Sequence, residues 1–298
     1  MTDYPEIVRP LVDLEPAHEF FVGIDSDGCV FDTMEIKHKE CFIPNIIKYW
    51  GLQSVSRFAR EAGEFVNLYS KWRGVNRWPA LIKTLDLLRE RPVVERRGAE
   101  IPMAPKVREF IESGRPLSNS SLAELVEETG DPELAKALEW SEAVNATVAD
   151  MVHGVAPFAY VRESLEKITA QADAIVVSQT PTEALTREWK EHEIDRYVLT
   201  IAGQEMGTKG EHLRYASKNK YDDDHKLMIG DAPGDMSAAR ENNAFFFPVN
   251  PGREEESWQR FYEEAWDRFL NGTYGGDYEA TLIAEFEKAL PETPPWQR

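Results

Sequence analysis

The spacing of the short apolar runs constrains this chain more than any other feature. Four of them, Phe20–Ile24, Ala174–Val177, Tyr197–Ile201 and Lys226–Ile229, each end in a polar or glycine-rich turn. Runs this short and continuously apolar suit strands buried on both faces of a parallel sheet. A fifth, Ala244–Val249, contains Pro248 and reads as a sheet edge, because proline has no N–H to give to a ladder. Helix-like segments lie around the later runs: Tyr160–Thr169, Thr182–Glu191, Gly210–Lys218 and Pro233–Asn242. Strand alternating with helix predicts an α/β fold with a doubly wound parallel sheet.

The first run is separated from the second by roughly 150 residues, whereas a crossover between parallel strands needs about a dozen. Something large is therefore inserted there, and its periodicity is helical. Ile36, Ile43, Ile46, Ile47 and Trp50 share a helical spacing, as do Phe58, Phe65, Leu68 and Tyr69, and Pro79 precedes a third set at Leu81, Ile82, Leu85 and Leu88. Residues 34–151 are expected to form an α-helical cap domain, and residues 1–33 and 152–298 the core, with a helical extension from about residue 252. Further runs lie around Phe110, Leu125 and Leu138, but the stretch from Arg91 to Asn119 is polar and rich in Pro and Gly, and no element is assigned to it.

Composition narrows the function. A formal net charge of -19 and a sequence pI near 4.8 repel nucleic acid and anionic membranes. The N-terminus lacks a basic segment followed by an apolar one, and no apolar run approaches the ~18 residues of a membrane span. Cys29 and Cys41 are the only cysteines, too few for a disulfide framework. A cytoplasmic protein with no nucleic-acid or membrane partner is expected.

In an open parallel sheet ligands bind at the carboxyl ends of the strands, and the residues just after the apolar runs form a coherent set. Asp25-Ser-Asp27-Gly28 follows the first, Ser178-Gln-Thr180 the second, Lys209 lies beyond the third, and Gly230-Asp231-Ala-Pro-Gly-Asp235 follows the fourth. Taken singly each has an ordinary explanation: Asp-Gly makes turns, Ser caps helices, and lysines are commonly solvated. A calcium loop opening at Asp25 would need glycine at its sixth position and glutamate at its twelfth, where Val30 and Ile36 stand. Aspartates, a hydroxyl and a lysine converging on one sheet edge suit a divalent cation, Mg²⁺ for preference, and a phosphoryl group. Asp25 is the candidate nucleophile, and Asp27, two residues on, the candidate acid/base.

These motifs, in this order, resemble the haloacid dehalogenase superfamily over roughly the first 32 residues and 153–250. The resemblance implies a Rossmann-like core with an inserted helical cap that closes over the cleft, and a Mg²⁺-dependent phosphatase working through an aspartyl-phosphate on Asp25. It also implies that Asp27 is the acid/base and lends the metal its backbone carbonyl, that Ser178 and Lys209 hold phosphoryl oxygens, that Asp231 is a metal ligand, and that Asp235 orients the metal site. Cys29 stands where threonine is usual, and Lys209 precedes Gly210 rather than proline, with Lys218 as the fallback lysine. Branches of the superfamily that cleave C–halogen or C–P bonds lack the second aspartate, so Asp27 favours phosphate esters; a Schiff-base lysine would have to be Lys37 or Lys39.

Within the inserted segment, Arg73-Gly74-Val75-Asn76-Arg77 resembles the Arg-Gly-x-x-Arg substrate loop of the β-phosphoglucomutase-like branch. Arg73 and Arg77 would then grip a distal group of a small phosphorylated metabolite; the plainer reading is a turn between helices with exposed arginines. Two further functions stay open: a sugar phosphate mutase, which shares the covalent step, and a catalytically silent ligand-binding protein, against which the intact aspartate set argues.

Overall fold

The computed structural model describes residues 4–297. Within them the five strands are β1 (Phe20–Ile24), β2 (Ala172–Val177), β3 (Thr200–Ala202), β4 (Lys226–Gly230) and β5 (Phe245–Pro248). They form one sheet in the order β3-β2-β1-β4-β5, with every pairing parallel. β1 lies at the centre, with Ile24 in register with Val176 on one side and Ile229 on the other. The doubly wound α/β fold read from the sequence is the one observed, and Pro248 does sit on an edge strand. The run Tyr197–Ile201 becomes a strand later than its apolarity suggests. Asp195–Tyr197 turns as a short 3-10 helix first, and Leu199 is exposed.

The described chain falls into two compact units. The first holds the sheet, in the residues up to Thr33 and in Gly154–Leu290. Its strands bury nearly every residue because helices cover both faces of the sheet. On one face Val161, Leu165 and Ile168 meet Val22, Val176 and Leu227, and the aromatic residues Trp258, Phe261, Trp266 and Phe269 join the same cluster. On the other face Leu213, Ala216, Ala238 and Ala239 pack with Phe21, Ile175, Met228 and Phe246. The Asp277–Ala289 helix brings Phe286 edge-on to Phe246 at 5.6 Å, and Glu279 Oε1 accepts from Phe246 N at 2.8 Å, so the exposed side of β5 is occupied.

The second unit, Met34–His153 with the residues from Pro291 onward, is helical. Its core gathers Trp50, Phe58, Phe65, Trp78, Leu85, Phe110 and Trp140, with the rings of Trp78 and Trp140 5.5 Å apart. The stretch without a readable period holds two short helices, Pro92–Arg96 and Pro105–Glu112, each with proline in its first turn. The sequence reading puts every residue from 152 on with the core, whereas Val152, His153 and the described residues from Pro291 group with the helical unit. Trp296 stacks on the Arg91 guanidinium at 4.2 Å and meets Phe65 at 5.7 Å, and Gln297 donates to Glu90. No described helix is long and apolar enough to cross a membrane.

Asp173, 2% exposed at the start of β2, accepts from Ala17 N, His18 N and the Tyr221 hydroxyl. Burial alone would raise its pKa, but these donors together hold it below the ordinary 3.8. A carboxylate with a depressed folded pKa stabilises the fold above its unfolded value and loses that contribution as the pH falls through the folded one. Acid titration of the unfolding free energy should thus steepen below about pH 4, and Asp173→Asn should flatten that limb. Trp140→Ala, in the other unit, should cost about 3–5 kcal/mol by chemical denaturation.

Candidate active site

The carboxyl end of β1 is prolonged by Asp25, whose N–H still donates to Ile229 O at 2.9 Å. The chain then turns sharply: Ser26 O accepts from the amides of Cys29, Val30 and Phe31, and Gly28 adopts a φ of 74°, a left-handed conformation cheap only for glycine. This turn leaves Asp25 anchored to the sheet and sets Asp27 on the next bend.

Three carboxylates meet here. Oxygens of Asp25, Asp231 and Asp235 lie within 4.8 Å of one another, and the three residues are 4%, 1% and 0% exposed. Lys209, the first residue of the Lys209–Ser217 helix, places its ammonium 2.7 Å from Asp25 Oδ2 and 2.6 Å from Asp235 Oδ1. Thr208 and Glu211 close a capping box at that helix start, which fixes the backbone from which Lys209 reaches inward. Lys218, the fallback, is the C-cap of the same helix and lines a different cavity of about 660 Å³ with Lys220, Asp223 and Lys226.

Asp235 uses both oxygens: Oδ1 accepts from Lys209, and Oδ2 accepts from the amides of Asp231 and Ala232 at 3.1 and 3.0 Å. It caps its own helix and fixes the loop carrying Asp231, so its part is to orient the cluster. The approach is so close that β4 must end in glycine; a Cβ on Gly230 would fall 2.4 Å from Asp235 Cβ.

Electrostatics follows from crowding. Burial pushes the Asp25 pKa well up, and Asp235 and Asp231 push it further, while Lys209 opposes them. The same carboxylates raise Lys209 above its ordinary value although burial works the other way. Three buried carboxylates crowd one ammonium here, and buried charges of like sign so close together are costly to hold, a cost that a cation joining them would lower. All the donors are hard oxygens, so the residues fit a divalent cation of the magnesium or calcium type.

Asp27 stands beside this cluster with its carboxylate held by two hydroxyls. Thr33 Oγ1 donates to Oδ1, and Thr180 Oγ1 donates to Oδ2 at 2.6 Å. Neither threonine was assigned a role on sequence grounds. Thr180 stood in the quoted turn after β2, but Thr33 had no local signal, since only the turn at Gly28 brings it back to Asp27. Ser178, 2% exposed, continues β2 through its N–H to Ala202 O, and its Oγ accepts from Thr180 N at 3.2 Å.

Arg73 and Arg77 lie in the helical unit. Arg73 is 4% exposed, with Nη1 donating to Leu68 O at 2.9 Å. Arg77 Nη1 donates to Ser141 O, Ser141 Oγ and Asn145 Oδ1, and the guanidinium lies 5.2 Å from the Phe42 ring centre. The acceptors are all neutral, and burial lowers its pKa to about 10, so it keeps its positive charge at neutral pH.

A family model described as haloacid dehalogenase-like hydrolase matches residues 107–249. Over that span, a little under half of its length, the chain is similar to the haloacid dehalogenase-like hydrolases. The matched span includes Ser178, Lys209, Asp231 and Asp235 and leaves out Asp25 and Asp27, whose placement rests on the geometry above. No curated protein matches the chain. Among solved structures, a haloacid dehalogenase-like hydrolase from Streptococcus pneumoniae is similar at 17% identity and a TM-score of 0.46, over 90% of this chain and 98% of its own. A β-phosphoglucomutase from Clostridium difficile is similar at 13% identity and a TM-score of 0.49, over 85% and 98%. A haloacid dehalogenase-like hydrolase from Xanthomonas campestris is similar at 12% identity and a TM-score of 0.43, over 92% and 94%.

Gly230→Ala should displace Asp235 and loosen the Asp231 loop, lowering the unfolding free energy by about 1–3 kcal/mol. The penalty should shrink in an Asp235→Gly background, because the two substitutions share one contact. Denaturant titration of the four proteins of that cycle checks it.

Proposed function

We propose that this protein is a Mg²⁺-dependent phosphatase acting on a small phosphomonoester through an aspartyl-phosphate on Asp25. The observation that carries the reading is the closure of Asp25, Asp231 and Asp235 around Lys209 at the carboxyl edge of the central strands.

Asp25 attacks phosphorus with a carboxylate oxygen as the bond from phosphorus to the ester oxygen breaks. Asp27, held by Thr33 and Thr180, gives its proton to the leaving oxygen. Water then attacks the phosphorus of the acyl phosphate and passes a proton to Asp27, which releases phosphate and restores both carboxyl groups. Lys209 and Ser178 bind phosphoryl oxygens, and Asp235 keeps Lys209 and the Asp231 loop in place. Asp25, Asp231 and the Asp27 backbone carbonyl would hold Mg²⁺, with Asp235 orienting the site, and the ion would supply charge neutralisation for the phosphoryl group. Phosphoryl transfer is chiefly positioning plus electrostatics, which a rigid, water-poor cluster of this kind provides.

A mutase is the second reading, and Arg77 favours it: a charged guanidinium held only by neutral oxygens is suited to a second anionic group on a sugar phosphate. Cleavage of a C–P bond finds no support at Lys39. Its ammonium pairs with Glu35 and lies 5.7 Å from the Tyr69 ring centre. Despite burial, these contacts raise its pKa above the ordinary lysine value, so it is not a free amine for a Schiff base.

Phosphate release from sugar phosphates, nucleotides and p-nitrophenyl phosphate should require Mg²⁺ and should fall by about 10⁴-fold or more in Asp25→Asn. Turnover of a pure Asp25→Asn sample at the wild-type rate would refute the covalent mechanism. Little net release, but isomerisation of a sugar phosphate primed by a bisphosphate, would establish the mutase. EDTA should abolish the activity and added Mg²⁺ restore it.

A further inference from the structure

We infer that Trp258, from the helical segment beyond β5, is a positioning residue for the catalytic turn, and that this C-terminal segment is therefore part of the active centre. The inference rests on the phosphatase reading for its kinetic consequence and on geometry alone for its structural one. The indole Nε1 of Trp258 donates to Cys29 O at 2.7 Å across 229 residues of sequence. Trp258 is fully buried on the Glu254–Arg260 helix, seated between the Cys29–Phe31 segment and Phe261.

The Cys29 carbonyl has special need of that partner. In the turn after β1, Ser26 O takes three backbone amides, Phe31 O takes Gly28 N and Val30 O takes Phe158 N, whereas the donor to buried Cys29 O is the indole. A second indole acts on the other side. Trp189 Nε1, on the Thr182–Glu191 helix that follows β2, donates to Ser26 Oγ at 3.0 Å. Ser26 and Cys29 bracket Asp27 and Gly28, so the two indoles pin the bend that carries the acid/base from two separate helices.

Backbone placement of Asp27 decides where its carboxyl meets the leaving oxygen, and small errors in such geometry are costly in rate. Loss of the indole N–H should reduce kcat by about tenfold, the effect of one hydrogen bond's free energy on the barrier, while KM, set by contacts elsewhere, stays within about twofold. The discriminating pair keeps the shape of Trp258 and changes only the donor. Replacement by its benzothienyl isostere, which lacks the N–H, should lower kcat and speed amide exchange over Ser26–Phe31; 4-fluorotryptophan, which keeps the N–H, should do neither. Trp258→Phe should follow the benzothienyl protein. Amide exchange over Ser26–Phe31 reads the positioning whether or not the substrate panel is turned over, and wild-type turnover lost in Asp25→Asn reads the phosphatase separately. Equal exchange in the benzothienyl and indole proteins would overturn the inference, as would equal kcat values in an active enzyme.

Discussion

The crowding of carboxylates at the end of the central strands is the constraint on which the rest of the sheet-bearing unit depends. Three buried carboxylates and one buried ammonium cannot be held together by attraction alone, so the backbone must enforce what Coulomb repulsion opposes. Each carboxylate is accordingly tied to rigid structure. Asp25 continues the ladder between β1 and β4. Asp235 is locked by two amides of its own loop and needs a glycine opposite it. Lys209 begins a helix whose capping box leaves its backbone little freedom. Much of the fold's local detail, from the Gly28 turn to the Gly230 terminus of β4, serves to hold like charges at short range.

Most of this was legible in the sequence because the signals are local. A run of five apolar residues followed by Asp-x-Asp-Gly announces both the strand and the turn that ends it, and four of the five strands fall where apolarity put them. β3 began late because hydrophobicity cannot tell a buried strand from a 3-10 turn with an exposed leucine at its end. Of the two helices within Arg91–Asn119, Pro105–Glu112 left only the run around Phe110, and Pro92–Arg96 was hidden because it is short and held by contacts with distant residues. Arg91, stacked on Phe58 and Trp296 and paired with Glu61, leaves no periodic mark. Thr33 and Trp258 were invisible for the same reason. Their contacts to Asp27 and Cys29 exist only after the chain has folded back on itself.

The polar clusters of the two units differ in how they are built. On the core side, polar groups are charged, mutually opposed and fixed by backbone amides. Around Arg77 in the helical unit they are neutral, with a serine and an asparagine holding one guanidinium. Neutral acceptors orient a cation without cancelling its charge, whereas the core cluster cancels charge only in part and leaves room for a metal. The two units thus treat charge in opposite ways.

The path of the C-terminal residues bears on how such a protein can be remodelled. The Asp277–Ala289 helix covers β5, yet Trp296, a few residues later, completes the packing around Arg91 in the other unit. The backbone thus passes between the units after Thr33, after His153 and again after Leu290. An inserted domain joined by two linkers is a cassette that recombination can exchange in a single piece. Here the cassette comes in two pieces from distant parts of the gene, and a swap of residues 34–153 alone would leave an indole from the old partner to be fitted by the new one.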